Sequence, residues 1–226
     1  SINGIAAVGM TLLMISRSFD ISIGSNMVLA GAIAVITVNH FNPVVAILAG
    51  TLAGVVIGLI NGILVAKLKI NSFIATLGTS VIYQGLTFSI TNMRPVATPN
   101  VAFQKFATAE IFRVPMVVFY FLLAATLVWF VSRFTQPGKN AYAIGGNSQA
   151  CRWVGIKVDM YVIIFFMISG IAAAFAGVLL SCKIQSASAV FGENIALVVI
   201  AGIVLGGVHL TGGVGSVWGG VQGMLL

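Results

Sequence analysis

The sequence predicts an all-α fold, a polytopic transmembrane helix bundle with broken or re-entrant half-helices, and three observations carry that expectation. Of 226 residues, 59% are hydrophobic and only 7% charged, and mean hydropathy is +1.12. Eleven Lys and Arg with four Asp and Glu cannot cover a soluble domain, whereas recurrent apolar runs of about twenty residues match the hydrocarbon thickness of a bilayer. The polar and apolar alternation in Phe19-Asp20-Ile21-Ser22-Ile23-Gly24-Ser25 interrupts that pattern early, as a half-helix boundary does in transporters.

Residues 1–226 read as a single transmembrane domain. The net charge of +7 and pI near 9.9 invite a nucleic-acid partner, but loops enriched in Lys and Arg on the cytoplasmic side explain them more simply, and no nucleic acid is expected. Cys151 and Cys182 fall at opposite ends of one span, so they do not pair and say nothing of redox compartment. The chain begins with Ser, and no charged segment precedes the first apolar run, so no signal peptide is recognisable. The final run, Gly219 to Leu226, stops while still apolar; residues are expected beyond both ends, and the spans counted are a minimum.

In chain order, Ile2 to Ile15 is the visible part of a first span, ending at Ser16-Arg17. Asp20, Ser22 and Ser25 are each suitable caps for a helix from near Gly24 to about Val38. Two readings of this break stand side by side: an interfacial turn with Asp20 facing Arg17, or a half-helix boundary that needs protein or water around it. After the turn His40-Phe41-Asn42-Pro43, Pro43 to Ala66 spans, with Gly50, Gly54, Gly58 and Gly62 at four-residue spacing on one face. Such a face lets another helix approach backbone to backbone.

Ile70 to Thr91 spans next, carrying Ser72, Thr76, Thr79, Tyr83 and Thr87 on roughly one stripe with Gln84 beside it. The stripe serves either interhelical hydrogen bonds, worth about 0.6 to 2 kcal/mol each, or the wall of a solute path. Asn92 to Pro115, with Pro95, Pro99 and Pro115, is expected to be irregular. Met116 to Ser132 and Tyr161 to Ser181 span, the latter with Gly170, Ala173, Ala174 and Gly177 on a packing face. Lys183 to Asn194 reads as a short polar connection, Ile195 to Leu210 as apolar, and Thr211-Gly212-Gly213 as a turn before a last segment. No strand-period segment and no tandem repeat is found, and all five prolines lie in loops or at span ends.

The longest polar run, Gln136 to Met160, contains Lys139, Arg152 and Lys157, with Arg133 just before it and Asp159 to oppose them. A turn at Gly145-Gly146-Asn147 leads to Ser148 as N-cap of a short helix, Gln149 to Val154, closed by Gly155. A short helix held between two long apolar segments is placed to be touched from the aqueous side. If this run is cytoplasmic, alternation puts Arg17, Lys67 and Lys69 there too, seven bases against four (Arg94, Lys105, Arg113, Lys183) on the other side.

Catalysis is not supported. Asp20, Glu110, Asp159 and Glu193 fall at span ends or in loops, so no two form an acid–base pair within the bundle. His40 and His209 lack the neighbours a metal site needs. Gly138-Lys139 is followed by Asn140, and position 133 is Arg where a phosphate-binding loop needs its first glycine; Gly212-Gly213-Val214-Gly215 lacks the strand of a nucleotide fingerprint. No carboxylate is expected near the midplane of the spans, a group that costs about 2.5 to 3.5 kcal/mol to insert and is usual in ion-coupled carriers. Hydroxyls and amides suit a neutral, hydroxyl-rich solute, and energy for uphill transport must enter from elsewhere, with the basic loop as its port.

The chain resembles the membrane permeases of bacterial ABC importers for ribose, xylose, arabinose, galactosides and related monosaccharides. The likeness runs through Ala7-Val8-Gly9-Met10-Thr11-Leu12, Phe19 to Ser25, Asn61 to Lys67, Phe73 to Thr79, Tyr142 to Asn147, Gly155-Ile156 and Leu205-Gly206-Gly207 to Ser216. Two departures stand out. Where the family has Glu-Ala-Ala shortly after Gly-Gly-Asn, this chain has Ser148-Gln149-Ala150; and, aligned on Leu205-Gly206-Gly207, a family Glu and Asp become Ala196 and Val198.

The resemblance implies a permease domain in the bacterial inner (cytoplasmic) membrane, multi-pass, working with a second permease copy (identical or a close paralogue), cytoplasmic ABC ATPase subunits and a periplasmic or extracellular sugar-binding protein. It implies that Asn147, Ser148, Gln149, Ala150, Arg152, Trp153 and Gly155 form the coupling helix that docks on the ATPase. Asn3, Ser72, Thr76, Thr79, Tyr83 and Gln84 are the candidates for lining the solute path. No catalytic residue, cofactor or metal is expected. The alternative is an ATP-independent channel or facilitator for small neutral solutes.

Overall fold

A computed structural model describes residues 1–225. Helices dominate: α1 (Ile2–Ile15), α2 (Ile23–Val38), α3 (Pro43–Ala66), α4 (Ser72–Ile90), α5 (Val101–Thr108), α6 (Met116–Phe134), α7 (Gln136–Trp153), α8 (Val158–Ile184), α9 (Ile195–Leu205) and α10 (Val217–Gly223). Among these, α3, α4, α6 and α8 are long and apolar enough to cross a membrane. The expected all-α bundle is therefore observed, with short helices α1, α2 and α9 beside the full-length ones.

Local chemistry sets the ends. Asn42 accepts from the Val45 amide at 2.9 Å with Pro43 in the first turn of α3, and Asn71 accepts from the Phe73 amide at 2.9 Å to start α4. The core centres on α8, which packs against α1, α2 and α3. Small residues make this seam possible. A Cβ on Gly54 would fall on the Gly170 carbonyl and Ala174, one on Gly58 on the Phe166 carbonyl, and one on Gly177 on the Met27 carbonyl. The glycine face read from the sequence is thus a packing face, as small residues allow helices to approach in lipid.

The segment Asn92 to Pro115 is more ordered than expected. It holds α5, capped by Asn100, whose side chain accepts from the Phe103 amide at 3.0 Å. Phe103 and Ala107, four residues apart, are buried, and Phe106 stacks on Tyr120 of α6 with ring centroids 5.0 Å apart. An eight-residue helix offers too few turns for its periodicity to stand out between prolines. Strands are also present, contrary to expectation, but each is two residues long and has no alternation to read. β1 (Val96–Ala97) pairs antiparallel with β4 (Ser186–Ala187), and β2 (Glu110–Ile111) with β3 (Val114–Pro115). The β2–β3 turn holds Phe112 and Arg113 at φ 50° and 64°, a conformation that neither residue type advertises.

The segments assigned to one aqueous side meet at one end of the bundle. Arg17, Lys69 and Arg152 line a common cavity with Ser148 and Asp159. At the opposite end, Asn39 donates to the Ala97 carbonyl at 3.2 Å, and the β1–β4 pair ties the loop after α4 to the end of α8.

Candidate functional site

The basic end presents a helical handle. The polar run is helical nearly throughout, with a break at Asn147, where φ is −154° and ψ 97°. Gly145 and Gly146 lie in the helix before the break rather than in a turn. Gly145 is pressed so closely on the Ile15 carbonyl and Gly213 that a Cβ would overlap both, and the Gly213 amide donates to Ile15 O at 2.8 Å. The handle is thereby rooted on the end of α1. The cap is also one residue earlier than expected. Asn147 Oδ1 accepts from the Ala150 amide at 2.9 Å, because Asn147, not Ser148, adopts the extended backbone that a capping residue needs.

The handle closes at Gly155, as expected, with φ at 83°. The Ile156 amide donates to Cys151 O at 2.9 Å and the Gly155 amide to Arg152 O at 3.1 Å, the paired bonds of a Schellman ending. Trp153 is 83% exposed, and Val154 beside it is exposed too, while Cys151 is buried beneath. Arg152 and Lys69 both donate to Asp159, Lys69 at 2.7 Å. The hydrogen bond from Arg152 to Asp159 raises the guanidinium above its usual pKa. The exposed indole of Trp153 thus stands on a short helix that is capped at both ends and flanked by basic side chains.

The path candidates divide. Ser72 Oγ accepts from the Phe19 amide at 3.3 Å and Thr76 Oγ1 from the Ile21 amide at 3.0 Å. Thr79 and Tyr83 are buried on the same face, with Tyr83 donating to Asn61 Oδ1 at 3.4 Å. These four therefore dress the α1–α2 break in this chain. Asn3 and Gln84 open instead into separate cavities, of about 640 Å³ and 230 Å³ respectively.

Asp20 does not face Arg17. Arg17 turns outward at φ 66°, and Asp20 is fully buried. Its Oδ1 accepts from the Ser22 amide at 2.9 Å and Ser22 Oγ at 2.6 Å, with Asn61 Nδ2 at 3.5 Å; Asn61 Nδ2 also donates to Ser22 Oγ at 2.8 Å. Oδ2 has no partner among the described residues. The expectation of a bundle without a buried carboxylate is corrected here. Adjacent Arg17 suggested a surface pair, but α3 and the turn itself supply the polar contacts that water would otherwise make.

A second acidic residue was missed by sequence reasoning. Lys183 to Asn194 is not a plain connection: after β4 a 3-10 turn, Ala189–Gly192, brings the chain to the first turn of α2, where Gly192 and Gly24 pack backbone to backbone. Glu193 and Asn194 then line the 230 Å³ cleft with Ser25, Ser80 and Gln84. A re-entrant dip of this kind carries no hydropathy signal. Among the described residues, no group of three or more His, Cys, Asp or Glu is placed to hold a metal, and both cysteines are free and buried.

Spanning and half-spanning helices, a polar cleft between them and an exposed handle at one aqueous end define a membrane transport permease. The chain belongs to the family described as branched-chain amino acid transport system / permease component, whose model matches residues 1–225. It is similar, over its whole length, to the ribose import permease protein of Bacillus subtilis, at 36% identity and 71% of that protein. It is also similar to the galactose/methyl galactoside import permease protein of Salmonella typhimurium (34%, 73% of that protein) and to the D-allose transport system permease protein of Escherichia coli (30%, 70%), again over all of this chain. No solved structure matches it.

Proposed function

We propose that the chain is the membrane-spanning permease subunit of an ATP-driven importer for a monosaccharide or similar neutral polar solute in the bacterial inner membrane. It passes solute inward by alternating access, as one of two permease copies, with solute delivered by an extracytoplasmic sugar-binding protein. Separate cytoplasmic ATPase chains supply the energy through Asn147 to Gly155. The observation that carries this reading is the exposed Trp153 on a helix fixed at both ends, in a chain similar throughout to import permeases for ribose, galactose and allose. Such a helix transmits a push as a rigid unit, whereas an ATP-independent facilitator has no use for an exposed indole there. Within the path, Asn3 and Gln84 face open space, while Ser72, Thr76, Thr79 and Tyr83 shape the wall behind it.

The test uses the assembled importer in proteoliposomes. Trp153→Asp and Arg152→Glu are expected to leave the permease folded and inserted, and to abolish uptake while ATP hydrolysis continues without solute stimulation. Normal solute-stimulated hydrolysis and uptake in both variants removes the handle assignment. Solute flux through the permease alone, with no ATPase retained on purification, favours the facilitator.

A further inference from the structure

We infer that Glu193, Asn194 and Gln84, with the oxygens of Ser25 and Ser80, form one half of the site that holds the solute half-way across the membrane. This deepens the importer reading and rests on it. The placement comes first. Ser80 and Gln84 lie about 12 and 18 Å along α4, a helix about 28 Å long, so they straddle its middle. Glu193 reaches the same level from the far end of the bundle: Ala187 is still paired with Val96 there, and five residues later Gly192 sits on Gly24 at the start of α2. From Asn194, at φ 61°, α9 runs on toward the basic end.

Irregular backbone at this depth persists only where protein buries it or water reaches it. Here it is not buried, since Glu193 and Asn194 are both exposed. The two ion pairs among the described residues both belong to Asp159, so Glu193 has no base beside it. A lone carboxylate at mid-depth faces a bundle interior or a water-filled path, not lipid. The cleft is therefore one wall of an aqueous path. At 230 Å³ it is smaller than the roughly 300–1,000 Å³ of complete ligand pockets. A second copy related by a two-fold axis supplies the opposite wall from the same residues.

The donor and acceptor pattern names the solute class. Ser80 Oγ donates to Leu77 O at 2.7 Å and Ser25 Oγ to Ser22 O at 2.9 Å, so both hydroxyls meet a solute as acceptors. The Glu193 carboxylate only accepts, and the amides of Gln84 and Asn194 do both. An acceptor-rich cleft with one uncompensated negative charge suits a neutral solute that carries several hydroxyl donors and rejects an anionic one. A monosaccharide fits this pattern; the corresponding uronate does not.

Cysteine accessibility in the assembled importer tests this, with Cys151 and Cys182 first replaced by alanine. Cysteines introduced as Gln84→Cys and Glu193→Cys are expected to react with a water-soluble thiol reagent, while Leu127→Cys on the exposed face of α6 does not. Neutral sugar slows the reaction at position 84 at least tenfold and its uronate does not. Adding Glu193→Gln to Gln84→Cys makes the uronate protective as well, a charge effect that a merely structural role of Glu193 does not produce. Unreactive cysteines at both positions, or protection that ignores both sugar charge and Glu193→Gln, overturns the site. Those results count against the site alone when the unaltered importer takes up sugar with ATP; an importer that takes up none overturns the permease reading itself.

Discussion

The guanidinium of Arg152 donates to the carboxylate of Asp159, joining the last turn of the exposed handle to the first turn of α8. Lys69, in the turn after α3, reaches the same oxygen at 2.7 Å. Three segments far apart in sequence thus share one anion, and the anion belongs to the helix at the centre of the core.

Asp159→Asn separates stability from coupling. The side chains of Arg152 and Asp159 are 44% and 25% exposed, and exposed pairs contribute about 0 to 1 kcal/mol. Thermal unfolding is therefore expected to move little. If the handle couples ATP hydrolysis to transport as proposed, it loses a link to α8, and solute imported per ATP hydrolysed is expected to fall in proteoliposomes. A large fall in stability with unchanged stoichiometry contradicts this division.

The two ends of the handle make a second prediction. Asn147→Ala removes the acceptor of the Ala150 amide, a change that costs about 1 kcal/mol at a helix N-cap. Gly155→Ala meets no neighbour within 4 Å, so its cost comes only from holding a side chain at positive φ, about 1 to 2 kcal/mol. Hydrogen exchange at Ala150 to Ile156 is expected to speed up in both variants, and Asn147→Asp is expected to restore protection. Unchanged exchange in Asn147→Ala removes Asn147 as the cap.

Most spans were legible because a bilayer demands long apolar runs and because Asn42, Pro43 and Asn71 mark helix starts by their own chemistry. The glycine face of α3 was legible for the same kind of reason: four glycines at one spacing have few uses but close packing. The cap falls on Asn147 and not on Ser148, which the sequence indicates, because both residue types cap well and backbone conformation decides between them. Asp20 and Glu193 were misplaced for a deeper cause. Their burial or depth is set by segments distant in sequence, α3 for Asp20 and the start of α2 for Glu193, and no local pattern encodes either approach. The short strands and α5 depend likewise on partners across the bundle.

Asp20 and Asn61 offer the sharpest test of how the α1–α2 break is held. Asp20 Oδ1 gathers Ser22, and Asn61 Nδ2 donates to Ser22 Oγ at 2.8 Å while lying 3.5 Å from Asp20. Tyr83 completes the chain of contacts through Asn61 Oδ1. Every member is buried, so deleting one strands the others; an unsatisfied buried polar group costs about 1 to 3 kcal/mol, more when charged. Asp20→Ala and Asn61→Ala are each expected to destabilise the purified permease in that range. The double variant is expected to cost less than their sum, because the second deletion removes a partner already stranded, with a coupling of about 0.5 to 3 kcal/mol. Leu127→Ala, on the exposed face of α6, which does not pack against α2, α3 or α4, serves as a distant pair partner that should add simply. Reversible unfolding in mild detergent measures all three terms. Strict additivity between Asp20 and Asn61 means that they do not act as one network, and the break is then held by packing alone.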